Sequence, residues 1–297
     1  MMLAAIPFPN IGPDIFSISI GGFDLALRWY AMAYIVGILI GRRMAIVATR
    51  RVHLWATNPP PISPDDIEDL ITAIIIGVIV GGRLGYVLFY QPQVYIADPV
   101  AVLRLWDGGM AFHGGVLGVA AAGAWFAWRK GVPPLSIADV VCYATPPGLL
   151  LGRTANFINA ELWGAPTSVP WGVIFPGAAA QNCPGIEGLC ARHPSQLYEA
   201  LLEGLVLGLV LIYLVWRRGG FKRPGLVAGV FFLGYGAARF AVEFVRQADA
   251  QFIAPNNPAG FVIWLGPVGM TMGQVLSLPM ILVGLALLIY ARRAAPA

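Results

Sequence analysis

Arg153, Asn156, Asn159 and Glu161 crowd into the run Gly152-Arg153-Thr154-Ala155-Asn156-Phe157-Ile158-Asn159-Ala160-Glu161-Leu162-Trp163-Gly164, within an otherwise apolar stretch of chain. Arg239 and Glu243 lie four residues apart inside another apolar run, and Arg83 lies inside a third. An ionised group in such a setting costs at least a few kcal/mol, so each is read first as functional. Arg239 and Glu243 have the spacing of an ion pair on one helix face. For Arg83, an intramembrane ion pair and a functional role are equally open. A guanidinium presents a planar fork of donors that matches a phosphate, and lipids carry phosphates at the membrane surface. Two or three such arginines converging there would grip an anionic headgroup, and the Asn156 amide could add a neutral hydrogen bond. His113, followed by two glycines that permit close backbone approach, is the residue type that titrates near neutrality. It can serve as a base or as a structural hydrogen-bonding group. Tyr30 and Tyr235 read, as residues alone, as interfacial or packing aromatics.

These residues have to be positioned by membrane helices. Of 297 residues, 58% are hydrophobic and only 11% charged, where a soluble domain carries charge on about a quarter. That excludes an ordinary soluble enzyme and a disordered chain, and leaves an all-α polytopic integral membrane protein. The apolar runs do not alternate as barrel strands would. Spans are expected at Leu25–Gly41, Ile67–Tyr90, Met110–Trp128, Ile137–Leu151, Leu197–Trp216, Leu226–Val245 and Val268–Tyr290. The fourth is short and runs into Pro146-Pro147, where a kink or break is expected.

Twelve of the 19 Lys and Arg follow the odd-numbered spans: Arg42, Arg43, Arg50, Arg51, Arg129, Lys130, Arg217, Arg218, Lys222, Arg223, Arg292 and Arg293. The positive-inside rule makes that side cytoplasmic, with the N-terminus outside and the C-terminus inside. Met1 to Leu27 hold no Lys or Arg, hence no charged start to a cleavable signal peptide. The net charge of +4 is then a matter of topology, and nucleic acid is not expected as a partner. The chain reads as a single membrane domain, 1–297, with residues 152–196 as a periplasmic head segment between spans four and five. The remaining basic residues are Arg28, Arg83, Arg104, Arg153, Arg192, Arg239 and Arg246, all arginine. Arg28 and Arg246 are expected to snorkel at span ends, and Arg104 to be a solvated loop residue.

The run from Gly152 to Gly164 resembles the signature of the prolipoprotein diacylglyceryl transferases, GR-x-(G/A)-NF-x-N-x-E-xx-G, with each fixed position present. Arg28-Trp29-Tyr30, Met110-Ala111-Phe112-His113-Gly114-Gly115, His193-Pro194-Ser195-Gln196-Leu197-Tyr198-Glu199, Tyr235-Gly236-Ala237-Ala238-Arg239 and Glu243-Phe244-Val245-Arg246-Gln247 resemble that family too, in order along nearly the whole chain. The resemblance implies transfer of the diacylglyceryl group of phosphatidylglycerol to the lipobox cysteine of a bacterial prolipoprotein. A thioether forms and glycerol 1-phosphate leaves, on the outer side of the inner membrane. It implies two partners, phosphatidylglycerol and the prolipoprotein signal peptide, and raises Tyr30 and Tyr235 to active-site residues. Arg153, Asn156, Arg239 and Gly164 would hold the headgroup. His113, Arg153, Arg239, Tyr30 and Tyr235 would be catalytic, and Asn159, Glu161 and Glu243 supporting. Such chemistry needs a thiolate, since the thiol is a poor nucleophile, and donors aimed at the departing phosphate.

No metal or soluble cofactor is expected. His53, His113 and His193 are far apart, and no HxxEH, CxxC, Walker or dinucleotide spacing exists. Cys142 reads as a small packing residue; Cys183 and Cys190 can close a disulfide or stay free. The main alternative, a transporter or channel for an anionic or lipid substrate, predicts a polar stripe across the whole bilayer. The polar residues cluster instead toward the non-cytoplasmic side.

Overall fold

Apolar runs of bilayer length satisfy their own backbone groups only as helices, and helices dominate the computed structural model, which describes residues 5–21, 23–183 and 185–293. They are α1 (Trp29–Thr49), α2 (Pro64–Phe89), α3 (Pro92–Ala97), α4 (Phe112–Lys130), α5 (Pro134–Ala144), α6 (Pro146–Ile158), α7 (Ala178–Gln181), α8 (Ser195–Glu199), α9 (Leu207–Arg218), α10 (Leu226–Val242) and α11 (Met272–Arg293). A π-helix over Ala200–Val206 joins α8 to α9, so Ser195–Arg218 forms one rod. Among the described residues five segments are long and apolar enough to cross a membrane: α1, α2, α5 with α6, the α8–α9 rod and α11. The other two expected spans fall short of that measure. Helix α10 has 17 residues, and α4, with 19, is diluted by glycine and ends in Arg129 and Lys130.

Three differences from the sequence expectation have local causes. Leu25 to Arg28 are not helical: they belong to strand β3 (Phe23–Arg28), antiparallel to β2 (Asp14–Ile20), whose run Phe16-Ser17-Ile18-Ser19-Ile20 alternates apolar and polar with a strand's period. Val268 opens no helix either. It begins β6 (Val268–Thr271), which folds back on β5 (Phe261–Leu265) around Gly266 at φ +71°. With β1 (Ile6–Pro7) lying parallel to β4 (Val173–Ile174), the chain is mostly helical rather than all-α. The sixth expected span ends early, with α10 stopping at Val242 and Glu243 to Val245 forming a turn. The fourth span does break at its prolines, into α5 and α6 either side of Thr145, because proline lacks the N–H the helix would use.

The basic ends of the helices are tied together by charge. Lys130 at the end of α4 sits 2.9 Å from Asp66 and from Asp69 on α2, and Arg42 of α1 pairs with Glu68. Asp139 of α5 accepts hydrogen bonds from the Gly225 and Ala228 N–H groups, both 2.8 Å, and so caps α10. Helix α2 itself starts on a capping box, Ser63 with Asp66, with Pro64 in its first turn. An apolar core of α1, α2, α4, α5, α9 and α10 side chains, including Ile67, Phe126, Ile137, Leu211 and Val227, fills the space between.

Helices α2 and α4 touch backbone to backbone. A Cβ on Gly85 would lie 2.8 Å from the Gly114 Cα, and one on Gly118 would lie 2.6 Å from the Gly77 carbonyl carbon. Lipid gives no hydrophobic drive between helices, so close van der Waals contact of small residues supplies the attraction. A second apolar cluster of Val173, Phe175 and Ala180, with Phe8, Phe157 and Trp163 against it, lies in the 152–196 segment. There Cys183 and Cys190 are disulfide-bonded, with Cα atoms 6.4 Å apart.

Candidate active site

Glu199 is the hub of the polar residues at the end of the bundle opposite Lys130. Its carboxylate lies 3.2 Å from Arg153 of α6, 2.9 Å from Arg239 of α10 and 3.5 Å from Arg246 just beyond α10. Glu203, one turn further along the rod, lies 3.5 Å from Arg153, and Glu243 lies 2.8 Å from Arg239. Tyr235 of α10 lies beside Arg153. The glutamates stand behind the arginines: Glu199 and Glu203 side chains are 1% and 0% exposed, those of Arg153, Arg239 and Arg246 19%, 16% and 14%. A guanidinium has five N–H donors, so carboxylates at the back leave donors at the front edge. Three arginines against three glutamates also make a charge-balanced group, as burial demands.

Local sequence explains why these groups meet. The π turn after Glu199 adds a residue to the helical repeat, a device that recurs at functional sites. Gly204 lets the rod lie against α6: a Cβ there would come within 2.6 Å of the Leu150 Cα. Glu243 is aimed by a bond from the Thr271 hydroxyl, 3.0 Å, at the foot of α11.

The rest of the Gly152–Gly164 run orders a tight loop. Asn156 Nδ2 donates to Glu161 Oε1 at 2.7 Å, and Asn159 Nδ2 at 3.4 Å. Ser195 Oγ donates to the Leu162 carbonyl, and Gln196 Nε2 to that of Glu161. Ala160 and Leu162 have φ of +53° and +57°, a left-handed region costing a non-glycine residue roughly 1–3 kcal/mol. These side-chain bonds offset that strain. Gly164 receives no Cβ for want of space: one would stand 2.7 Å from the His193 Cβ. Its N–H bonds the His193 carbonyl at 2.8 Å, and it bridges to Arg246. The loop is thereby fastened to the end of α10.

The sequence-predicted residues thus divide into groups. Arg153, Arg239, Tyr235 and Glu243 come together; Asn156, Asn159 and Glu161 form the adjoining loop network. Tyr30 pairs its hydroxyl with that of Tyr34, 3.1 Å away, on α1, the helix that packs against the Arg153-bearing α6. His113 is exposed in the first turn of α4, whose main packing partners are α2 and α5 rather than the arginine-bearing helices. Arg246, expected to snorkel, belongs to the cluster. Arg104, expected in solvent, pairs with Asp98 and Asp107 at 2.8 and 3.1 Å. Among the described residues Arg83 has no ion-pair partner and no place in the cluster, and its guanidinium bonds backbone carbonyls.

Glu199, Glu203 and Arg192 were missed as site residues. Two acids four apart in an apolar run were the available signal, since they need cations as partners. Arg192, 2% exposed, bonds the carbonyls of Ala180 and Asn182 at 2.5 and 3.0 Å and stacks 3.9 Å over Trp163, which knits the 152–196 segment together. Beside it, His193 Nδ1 lies 3.2 Å from the Tyr198 hydroxyl, and burial pushes the imidazole below its ordinary pKa. Among the described residues no group of three or more His, Cys, Asp or Glu side chains is arranged to hold a metal ion.

The family model for prolipoprotein diacylglyceryl transferase matches residues 15–290, a range that holds every residue of the cluster. The chain belongs to that family. Similar proteins named phosphatidylglycerol–prolipoprotein diacylglyceryl transferase include one from Ruegeria pomeroyi, 61% identical over 98% of this chain and 99% of its own length. One from Roseobacter denitrificans is 61% identical over 99% and 100%, and one from Brucella canis 46% identical over 98% and 96%. Membership of the prolipoprotein diacylglyceryl transferases gives the cluster a setting: arginine forks at the end of apolar helices, in a family whose name joins a lipid-derived group to a protein.

Proposed function

We propose that this chain transfers the diacylglyceryl group of phosphatidylglycerol to the lipobox cysteine thiol of a prolipoprotein and releases glycerol 1-phosphate. The observation that carries the reading is the convergence of Arg153, Arg239 and Arg246 on buried Glu199, with the arginine side chains more exposed than the carboxylate. The relatives' names supply the lipid and the protein substrate.

In this reading the front edges of Arg153 and Arg239 bind the lipid phosphate, and the glutamates behind them fix the forks. The substrate thiol gives its proton to His113. The thiolate attacks the glycerol carbon, a C–S bond forms, and the C–O bond to phosphate breaks with its electron pair left on oxygen. The leaving group gains charge as this happens, so preorganised guanidiniums stabilise the transition state more than the bound lipid. Tyr235 steadies Arg153, and Tyr30 with Tyr34 borders the site. Asn156, Asn159, Glu161 and Gly164 shape the loop that closes it.

Seven crossings, with the glycine-diluted α4 and the shorter α10 as the two that fall outside the span measure, put the basic helix ends in the cytoplasm. The cluster and the 152–196 head then face the periplasm of a bacterial inner membrane, where the lipobox peptide and the outer-leaflet lipid are both present. The disulfide suits an oxidising compartment. The test is direct. Purified protein is incubated with phosphatidylglycerol and a lipobox peptide, and mass spectrometry follows the peptide. A diacylglyceryl increment on its cysteine is expected; intact, folded protein that adds none defeats the reading.

A further inference from the structure

Arg83 lies 4% exposed on α2, and among the described residues its hydrogen bonds go to backbone carbonyls. Its Nε donates to the Val102 carbonyl at 2.9 Å, and its Nη2 to those of Ala101 and Arg104 at 2.6 and 3.0 Å. Its Nη1 donates to Gly109 at 3.1 Å and to Gly108. The Tyr95 ring lies 5.1 Å from the guanidinium. One side chain thus gathers five carbonyls from residues 101–109, the segment that leads into α4 and His113. Gly108 and Gly109 turn their carbonyls inward with φ of +78° and +83°, values a residue with a Cβ adopts only under strain. Ala111 is pinned as well: its N–H donates to the Gly82 carbonyl at 2.9 Å, two residues ahead of His113.

A buried cation is costly, and the Arg83 guanidinium is met by carbonyl dipoles rather than by a carboxylate among the described residues. A loop could be closed more cheaply by an apolar side chain. What a guanidinium adds is a rigid five-donor fork that fixes several carbonyls at once. We infer that Arg83 is a positioning residue that sets the approach of His113 to the substrate thiol. The inference rests on the proposed role of His113 as proton acceptor, and its test separates the two.

Transfer rates for the full-length enzyme, Arg83→Met, Arg83→Lys, His113→Gln and the Arg83→Met/His113→Gln pair are measured from pH 7 to pH 9 with a lipobox peptide. A positioned base contributes about 100-fold or more, and a free thiol with a pKa near 8.5 is largely ionised at about pH 9. Arg83→Met should lose about 100-fold in kcat at about pH 7 and only severalfold at about pH 9, with KM for phosphatidylglycerol unchanged. Arg83→Lys should fall between, since a point charge cannot span the five carbonyls. The double variant should be no slower than His113→Gln alone, because two residues acting through one group are not additive. An Arg83 loss equal at every pH, a raised lipid KM, or additive losses would overturn the inference while leaving His113 in place. Near-full activity of His113→Gln at neutral pH would overturn the base assignment and the inference with it. If Arg83→Met does not fold, the pH ratio of Arg83→Lys decides in the same way.

Discussion

A guanidinium backed by a carboxylate still has donors to spare, and in the proposed function those donors make each arginine a phosphate ligand rather than half of a closed ion pair. Glu199 touches three arginines at once. Removing one partner of a buried charge network typically costs about 3–5 kcal/mol, so Glu199→Ala should lower the thermal midpoint in detergent by many degrees and abolish transfer. Arg239→Lys keeps the charge but loses the fork. It should reduce kcat by about tenfold or more, in line with the loss of one transition-state donor, and the split between kcat and KM measures this. His193 gives a pH signature outside the spans. Burial lowers its pKa, so the unfolded chain binds the proton better. The stability it contributes is present above its ordinary pKa of about 6.5 and is lost as pH falls below that value. Thermal midpoints measured between pH 8 and pH 5 should decline less in His193→Phe than in the parent. At this scale Arg153, Arg239 and Glu243 were legible because a charge in an apolar run stands out. Arg246 was not, because a span's end admits snorkelling equally well, and Arg83 was not, because its partners are carbonyls that sequence does not display.

Helices are positioned by glycine and by helix breaks as much as by apolar length. The α2–α4 contact depends on Gly77, Gly81 and Gly85 meeting Gly114 and Gly118. Gly118→Val would push the helices apart, at a cost of about 1–3 kcal/mol for overpacking. It should lower the thermal midpoint and, by shifting α4, depress transfer while lipid binding persists. The break at Pro146 and the π turn after Glu199 have the same purpose, since they aim Arg153 and the two glutamates at one point. The proline break was readable in the sequence. The π turn was not, because an extra residue in a helical repeat leaves no mark in an apolar run. Leu25 to Arg28 and Val268 to Thr271, the closing strands of two hairpins, were absorbed into the neighbouring spans because each runs directly into an apolar helix.

Over the whole molecule, one end of the bundle carries the basic helix termini and the other carries the arginine–glutamate cluster with the disulfide-bearing segment. Length, apolar content and the placement of 12 of 19 basic residues disclosed that polarity before any coordinate. The contacts that bring α6, α8 and α10 to one point required the fold. The central claim is that guanidiniums at the non-basic end hold a lipid phosphate while a thiol displaces it. Its most direct measurement is the initial rate of glycerol phosphate release from phosphatidylglycerol, with and without lipobox peptide, for the parent and for Arg153→Ala inserted equally well in membranes. The account predicts release that depends on peptide, matches the diacylglyceryl adduct one for one, and drops by about 100-fold or more in Arg153→Ala. Release that persists without peptide, or near-parental turnover by Arg153→Ala, would contradict it.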